Sequence, residues 1–304
     1  MAQQNEGIGI VTARRTVVGP LPIRVLRAVL RFFKRKPLGA MGAMLITIMV
    51  ILAVFADFVT GDHTPTKMSF LHTLETSSWD HWLGTDDFGR DLFTRIVYGA
   101  RISLYVGLLS VATGSISGAL IGLASSYYSG KTDAIIQRIM DAFMSIPTLI
   151  LALTVIAALG QSLNNVVIAI AIPQIPRANR IVRSAALSVK ESEYVLAARS
   201  IGAGDVRIML QHILPQCVAP WLIIATAALG TAITSEASLS FLGLGVPQPA
   251  PTWGGMLSGR ARDYYVVAPW LAIWPGVAIS LAVYGFNLFG DSIRDVLDPR
   301  LRGT

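Results

Sequence analysis

The sequence predicts an all-α integral membrane protein with six transmembrane helices and a helical loop on the cytoplasmic side. Three observations carry this. The 304-residue chain is 53% hydrophobic and only 14% charged, with mean hydropathy +0.58, which leaves too little polar surface for a solvated domain. Apolar runs long enough to cross about 30 Å of hydrocarbon fill most of its length, so one membrane domain is expected and no second globular core. The excess of positive charge, formally +7, is concentrated ahead of the first apolar run, in Arg14, Arg15, Arg24, Arg27, Arg31, Lys34, Arg35 and Lys36. Beside a spanning helix such a cluster sets orientation and holds the N-terminus in the cytoplasm, a better account of it than nucleic-acid binding. The apolar run after Lys36 is longer than a signal-peptide core and lacks a cleavage site, so a cleaved secretion signal is not expected. The lone Cys217 can form neither an intrachain disulfide nor a cysteine metal cluster, and a packing role is expected for it.

The basic tail, 1–36, leads into a first span at 37–59. An extracytoplasmic loop at 60–101 follows, with His63, His72 and His81 and the acids Asp62, Glu75, Asp80, Asp86, Asp87 and Asp91. Spans two to six occupy 102–290. The second, 102–123, is uncharged and repeats Ser110, Gly114, Gly118 and Gly122 at intervals of four, a smooth stripe on which another helix can pack closely. The third is apolar over 142–159, has Arg138 and Asp141 near its entrance, and should kink at Pro147. The fourth is irregular: Pro173, Pro176, Arg177 and Asn179 interrupt it before the apolar pattern resumes at Ile181, which predicts a bent helix running into the cytoplasm. The fifth, 217–235, and the sixth, 266–289, flank a Gly/Pro-rich segment at 241–259, and a tail at 291–304 closes the chain. Six crossings put both termini in the cytoplasm. The tail supports that weakly, since Arg294, Arg300 and Arg302 are offset by Asp291, Asp295 and Asp298.

The loop at 191–215 reads as two short helices around a glycine elbow. Residues 193–200 are good helix formers, Gly202 and Gly204 permit a positive-φ turn, Asp205 can cap a second helix over 206–214, and Pro215 marks the join to the fifth span. The pair Ala197 and Ala198 leaves a flat surface. With Leu196 and Ile201 as apolar anchors and Arg199 as a polar one, such a helix suits a cleft on a partner protein. The same residues also fit an amphipathic hairpin lying on the membrane, and the pattern alone leaves both open.

Leu196-Ala197-Ala198, then Gly202, then Leu214-Pro215 is similar to the EAA signature of bacterial ABC-importer permeases, with Leu196 where the signature has Glu and His212 where it has Ile. The resemblance extends over about 83–302. Leu83-Gly84-Thr85-Asp86-Asp87-Phe88-Gly89-Arg90-Asp91 with Tyr98-Gly99-Ala100-Arg101, then Glu236-Ala237-Ser238-Leu239-Ser240-Phe241 with Pro251-Thr252-Trp253-Gly254, resemble the second, C-type permease of the peptide and nickel branch. So do Asn287-Leu288-Phe289-Gly290-Asp291 and Leu297-Asp298-Pro299-Arg300-Leu301.

The resemblance implies a type I ABC importer permease fold in a bacterial or archaeal inner membrane. It implies a second, homologous permease as partner, two cytoplasmic ATPases that hold ATP and Mg, and an extracytoplasmic binding protein that delivers the substrate. Peptides are the expected cargo, with nickel, glutathione or oligosaccharides as alternatives. The residues expected to couple to the ATPase are Glu193, Tyr194, Leu196, Ala197, Ala198, Arg199, Ile201, Gly202, Gly204 and Asp205.

Glu236, at the outer end of the fifth span, is a candidate pathway or gate residue because an intramembrane charge is costly without a partner; an exposed interfacial residue is the bland alternative. Asp86, Asp87, Arg90 and Asp91 either fold the outer loop or touch the binding protein. Arg177, Arg180 and Arg183 could guide an acidic substrate group, though snorkelling to the cytoplasmic surface is the simpler reading. No resident metal, catalytic residue or nucleic-acid partner is expected: the three loop histidines carry no ligand motif, and Gly130-Lys131-Thr132 lacks the first glycine and the strand of a P-loop. An intramembrane hydrolase would need a nucleophile and base within the bilayer, and no histidine lies in a span. An ion-coupled secondary transporter would show internal repeats and midplane acids, which fit these six spans poorly.

Overall fold

The computed structural model describes residues 36–61 and 63–297. The orienting cations of the N-terminal tail up to Arg35, Asp62, and the tail residues Asp298, Arg300 and Arg302 lie outside the described residues. Among the described residues every regular element is helical, with one isolated β-bridge between Thr85 and Asp91.

The first span is α1 (Pro37–Val54), extended by the short α2 (Ala56–Val59). The second is α3 (Leu92–Tyr128), which begins ten residues before its expected start at 102. Asp91 caps it by accepting a hydrogen bond from the Thr94 amide at 2.8 Å. The charged side chains that made 92–101 read as loop bond to neighbouring backbone instead: Arg95 Nη1 donates to the Pro65 carbonyl at 2.8 Å and Arg101 Nε to that of Ala53 at 2.8 Å. At 1.5 Å per residue α3 is about 55 Å long, well beyond the bilayer core.

After α3 come α4 (Gly130–Ser145) and α5 (Thr148–Leu159), bent against each other by 95°. The kink expected at Pro147 is thus a corner. Proline disfavours a helical conformation in the residue before it, and Ile146 is extended, with φ −91° and ψ 128°. The fourth span is α6 (Leu163–Ala171), one 3-10 turn (Ile172–Gln174) and α7 (Ile175–Lys190). Pro173 and Pro176 each fall in the first positions of a new segment, where a missing N–H costs little.

The loop helix is α8 (Glu193–Ser200), followed by α9 (Asp205–Arg207), a π-helical turn (Ile208–Ile213) and α10 (Leu214–Phe241). The expected second loop helix is therefore not separate: 205–241 is one helical run. The wider π turn eases the clash that the Pro215 ring would otherwise make with the carbonyl four residues back. Between α10 and the last span lie α11 (Trp253–Met256) and a 3-10 stretch (Gly259–Tyr264); α12 (Trp270–Leu297) starts four residues after the expected 266, behind Pro269.

Four of these runs are long and apolar enough to cross a membrane, and the bent α4/α5 pair makes a fifth. The remaining expected crossing, 163–190, is a helical stretch whose inner half carries Arg177, Arg180, Arg183 and Lys190.

The stripe on α3 packs against the fourth span in matched steps of four. Ser110 Oγ donates to the Val167 carbonyl at 3.1 Å, and a Cβ on Gly114 or Gly122 would lie 2.5 Å from the carbonyl oxygen of Ala171 or Asn179. Only glycine permits that approach. Apolar side chains fill three levels: Leu92, Trp253, Leu271 and Phe286 at one end, Val106, Ile156, Val166 and Leu239 in the middle, and Leu123, Val182, Val195 and Ile213 at the other.

Candidate functional site

Helix α8 is held against the end of α3. Val195 and Ala198 are buried on its inner face, and Val195 shares an apolar cluster with Leu123, Tyr127 and Ile213. Its C-terminus closes in a glycine elbow: Gly202, at φ +85°, donates to the Arg199 carbonyl at 3.0 Å and Ala203 to that of Ala198 at 3.1 Å. This pair of bonds is a Schellman motif, with glycine in the left-handed position that favours it. Gly204, at φ −69°, is ordinary extended backbone.

Asp205 was expected to cap a helix but makes no capping bond; its Oδ1 accepts from the Tyr127 hydroxyl at 2.6 Å. A buried tyrosine with a free donor is the stronger competitor for that carboxylate. Tyr127 collects further contacts: the Arg199 guanidinium lies 5.7 Å from its ring centre, and Lys190 Nζ donates to its carbonyl at 2.9 Å. Lys190 also bonds Ser129 Oγ at 2.8 Å and so caps the end of α3. Tyr194 donates to the His212 carbonyl at 3.2 Å across the elbow. Tyr127 and Lys190 were not singled out from the sequence; nothing local distinguishes an aromatic pair at a span end.

The outward face is left bare. Ile201 is 87% exposed and Leu196 45%, and Glu193, Tyr194, Ala197, Arg199 and Val206 are also exposed. The two residues expected as apolar anchors therefore point away from the chain, while Ala198 does not.

Glu236 is not at a water interface. It is fully buried in the chain, its Oε1 accepting from Ser240 at 2.8 Å and its Oε2 from Ser103 at 3.1 Å. Thr252 Oγ1 lies 3.3 Å from Ser240 Oγ, so the carboxyl ties α3, α10 and the segment before α11 together. The exposed interfacial alternative is corrected by this burial: Glu236 is an internal polar joint surrounded by hydroxyls, and among the described residues it forms no ion pair.

In the outer loop, Asp86 Oδ1 accepts from the Phe88 and Arg90 amides at 2.9 Å each, and its Oδ2 from Arg90 Nε at 2.7 Å. Asp91 caps α3 and meets His81 Nδ1 at 3.0 Å. Asp86, Arg90 and Asp91 are buried and Asp87 is half-buried, and the bonds of Asp86, Arg90 and Asp91 support the first of the two expected roles, folding of the loop. The loop exposes Phe70, Leu71, Trp79 and Trp82 instead. The imidazoles of His63 and His72 lie 5.8 and 6.1 Å from that of His81, yet no group of three metal-ligating side chains converges among the described residues. Gly130-Lys131-Thr132 opens α4 directly after a helix, without the strand that a phosphate-binding loop requires.

A family model described as "binding-protein-dependent transport system inner membrane component" matches residues 113–303. The chain belongs to this family. The dipeptide transport system permease protein of Alkalihalophilus pseudofirmus is 44% identical over 91% of this chain and 90% of that protein. A putative peptide transport system permease protein of Brucella suis is 44% identical over 94% of each, and the glutathione transport system permease protein of Escherichia coli 41% over 90% of each. Among solved structures, the inward-facing MetNI methionine ABC transporter superposes with TM-score 0.55 at 20% identity, covering 68% of this chain and 98% of the other. The fold is that of a type I ABC importer permease, and this permease is an inner-membrane component of its transport system.

Proposed function

We propose that this permease moves di- and oligopeptides inward as one of two homologous subunits, driven by two cytoplasmic ABC ATPases that hold ATP and Mg. An extracytoplasmic binding protein delivers the peptide, and the exposed apolar side chains Phe70, Leu71, Trp79 and Trp82 are its contact surface. Both termini lie in the cytoplasm of a bacterial or archaeal cell. The names of the dipeptide and peptide permeases support the cargo, and the glutathione permease fits it too, since glutathione is itself a tripeptide.

One observation carries the coupling assignment. Helix α8 is fixed to the spans through Val195, Ala198 and Tyr127 while Leu196 and Ile201 face outward, so a force applied to the outer face is passed to α3 and α10. The chain breaks no bond in its cargo, and its residues position and transmit.

Gly202→Val tests the elbow. No atom lies within 4 Å of a Cβ placed there, so the change strains only the left-handed backbone, by about 1–2 kcal/mol. The expected result, in proteoliposomes of the assembled transporter, is ATP hydrolysis that persists while peptide uptake falls. Normal uptake at a normal ATP cost would overturn the assignment.

A further inference from the structure

Arg177, Arg180 and Arg183 stand one turn apart on α7, and their partners differ. Arg183 Nε and Nη2 meet the Asp133 carboxylate at 2.7 and 2.5 Å, and Arg180 Nη2 meets Asp141 at 2.6 Å, both acids being on α4. At the level of Arg177 the chain has turned its 95° corner, and the residue opposite is Thr148, whose hydroxyl is 3.5 Å away. Arg177 thus has no carboxylate among the described residues. Arg177 is exposed on this face of α7, so its guanidinium is accessible to an anionic ligand.

Arg177 lines a cavity of about 450 Å³ between α3, the end of α4, the fourth span and α10, beside Arg180, whose charge Asp141 already meets. The wall holds two buried polar atoms with no hydrogen-bond partner, Ser115 Oγ and Gln174 Oε1. A buried acceptor without a donor is uncommon and costly. The Gln174 amide nitrogen is already committed to the Ile170 carbonyl at 3.1 Å, which leaves its carbonyl oxygen as a pure acceptor. One wall of the cavity therefore offers a cationic fork suited to a carboxylate and an acceptor suited to an ammonium group.

We propose that this cavity is a transit site for zwitterionic short peptides, in which Arg177 receives the peptide carboxylate at the position that Asp141 and Asp133 fill for its two neighbours, and Gln174 Oε1 receives the amino group. The proposal rests on the peptide-importer reading and adds to it the residues that hold the cargo.

The test uses the complete transporter in proteoliposomes, with ATP inside, binding protein outside and radiolabelled di- and trialanine as probes. Thr148→Asp places a competing carboxylate beside Arg177 without removing the cation, at a helix N-terminus that tolerates an acid. Replacing a charged hydrogen bond to the ligand in this way should lower uptake about tenfold or more. Thr148→Asn, uncharged and of similar size, should transport as the unaltered chain does. Arg177→Gln should match Thr148→Asp, and the binding-protein-stimulated ATPase should persist in the two Thr148 variants. Uptake by Thr148→Asp at the unaltered rate would overturn the transit site and leave the importer reading standing. A loss shared equally by Thr148→Asn would also overturn it, since shape and not charge would then decide. Absence of ATP-dependent uptake by the unaltered transporter would overturn both readings.

Discussion

The loop around 84–91 and the loop around 193–205 are built in opposite senses. The loop at 84–91 turns its charges inward: Asp86, Arg90 and Asp91 retain 5%, 7% and 8% of their exposure, Asp86 accepting from the Arg90 amide and guanidinium and Asp91 from the Thr94 amide. The loop at 193–205 turns small apolar residues inward and leaves Arg199, Leu196 and Ile201 outside. A dense run of charges in sequence can therefore mark a self-contained fold, while the larger apolar side chains of a short helix can face away from their own chain.

Substitutions at the two ends should separate accordingly. Asp86→Ala leaves the buried Arg90 and Arg95 without their shared carboxylate, and breaking a buried pair of this kind costs about 3–5 kcal/mol. The thermal midpoint of the purified transporter in detergent should drop sharply, and an unchanged midpoint would mean that the loop is held by something else. On the packing stripe, Gly122→Ala puts a methyl against the Asn179 carbonyl and should cost about 1–3 kcal/mol in the same assay. Tyr127→Phe removes the hydroxyl that bonds Asp205, a loss of about 1 kcal/mol, and should loosen the transmission of ATP-driven movement more than it lowers the midpoint. At the far end of the scale, Ile201→Ala should leave stability within about 0.5 kcal/mol because the side chain touches little of its own chain. The same change should weaken ATPase binding about fivefold or more, as truncation of an apolar anchor does.

Much of this molecule was legible in its sequence because the signals were local. The spacing of Ser110, Gly114, Gly118 and Gly122 announced a close helix contact, and the structure supplies the partner backbone at each step. The elbow at Gly202 followed from glycine's freedom at positive φ. What could not be read depends on contacts between residues far apart in the chain. The burial of Glu236 depends on a hydroxyl partner, Ser103, that lies on α3, and Arg95 looked like loop because its acceptor is the carbonyl of Pro65. The corner before Thr148, which leaves Arg177 without an acid, is likewise a matter of geometry: the sequence shows a proline but not a 95° turn.

The outward face of α8 can be examined directly by thiol labelling, because the native Cys217 is buried and contributes little background. Ile201→Cys and, on the outer loop, Trp79→Cys occupy sites that are 87% and 96% exposed. Maleimide labelling is then compared between this permease with its permease partner alone and the same pair with both ATPases bound. Docking at α8 predicts that labelling at 201 slows about tenfold or more when the ATPases bind, as expected for a residue taken into an interface core, while labelling at 79 is unchanged. Equal labelling at 201 with and without the ATPases would contradict docking at this helix.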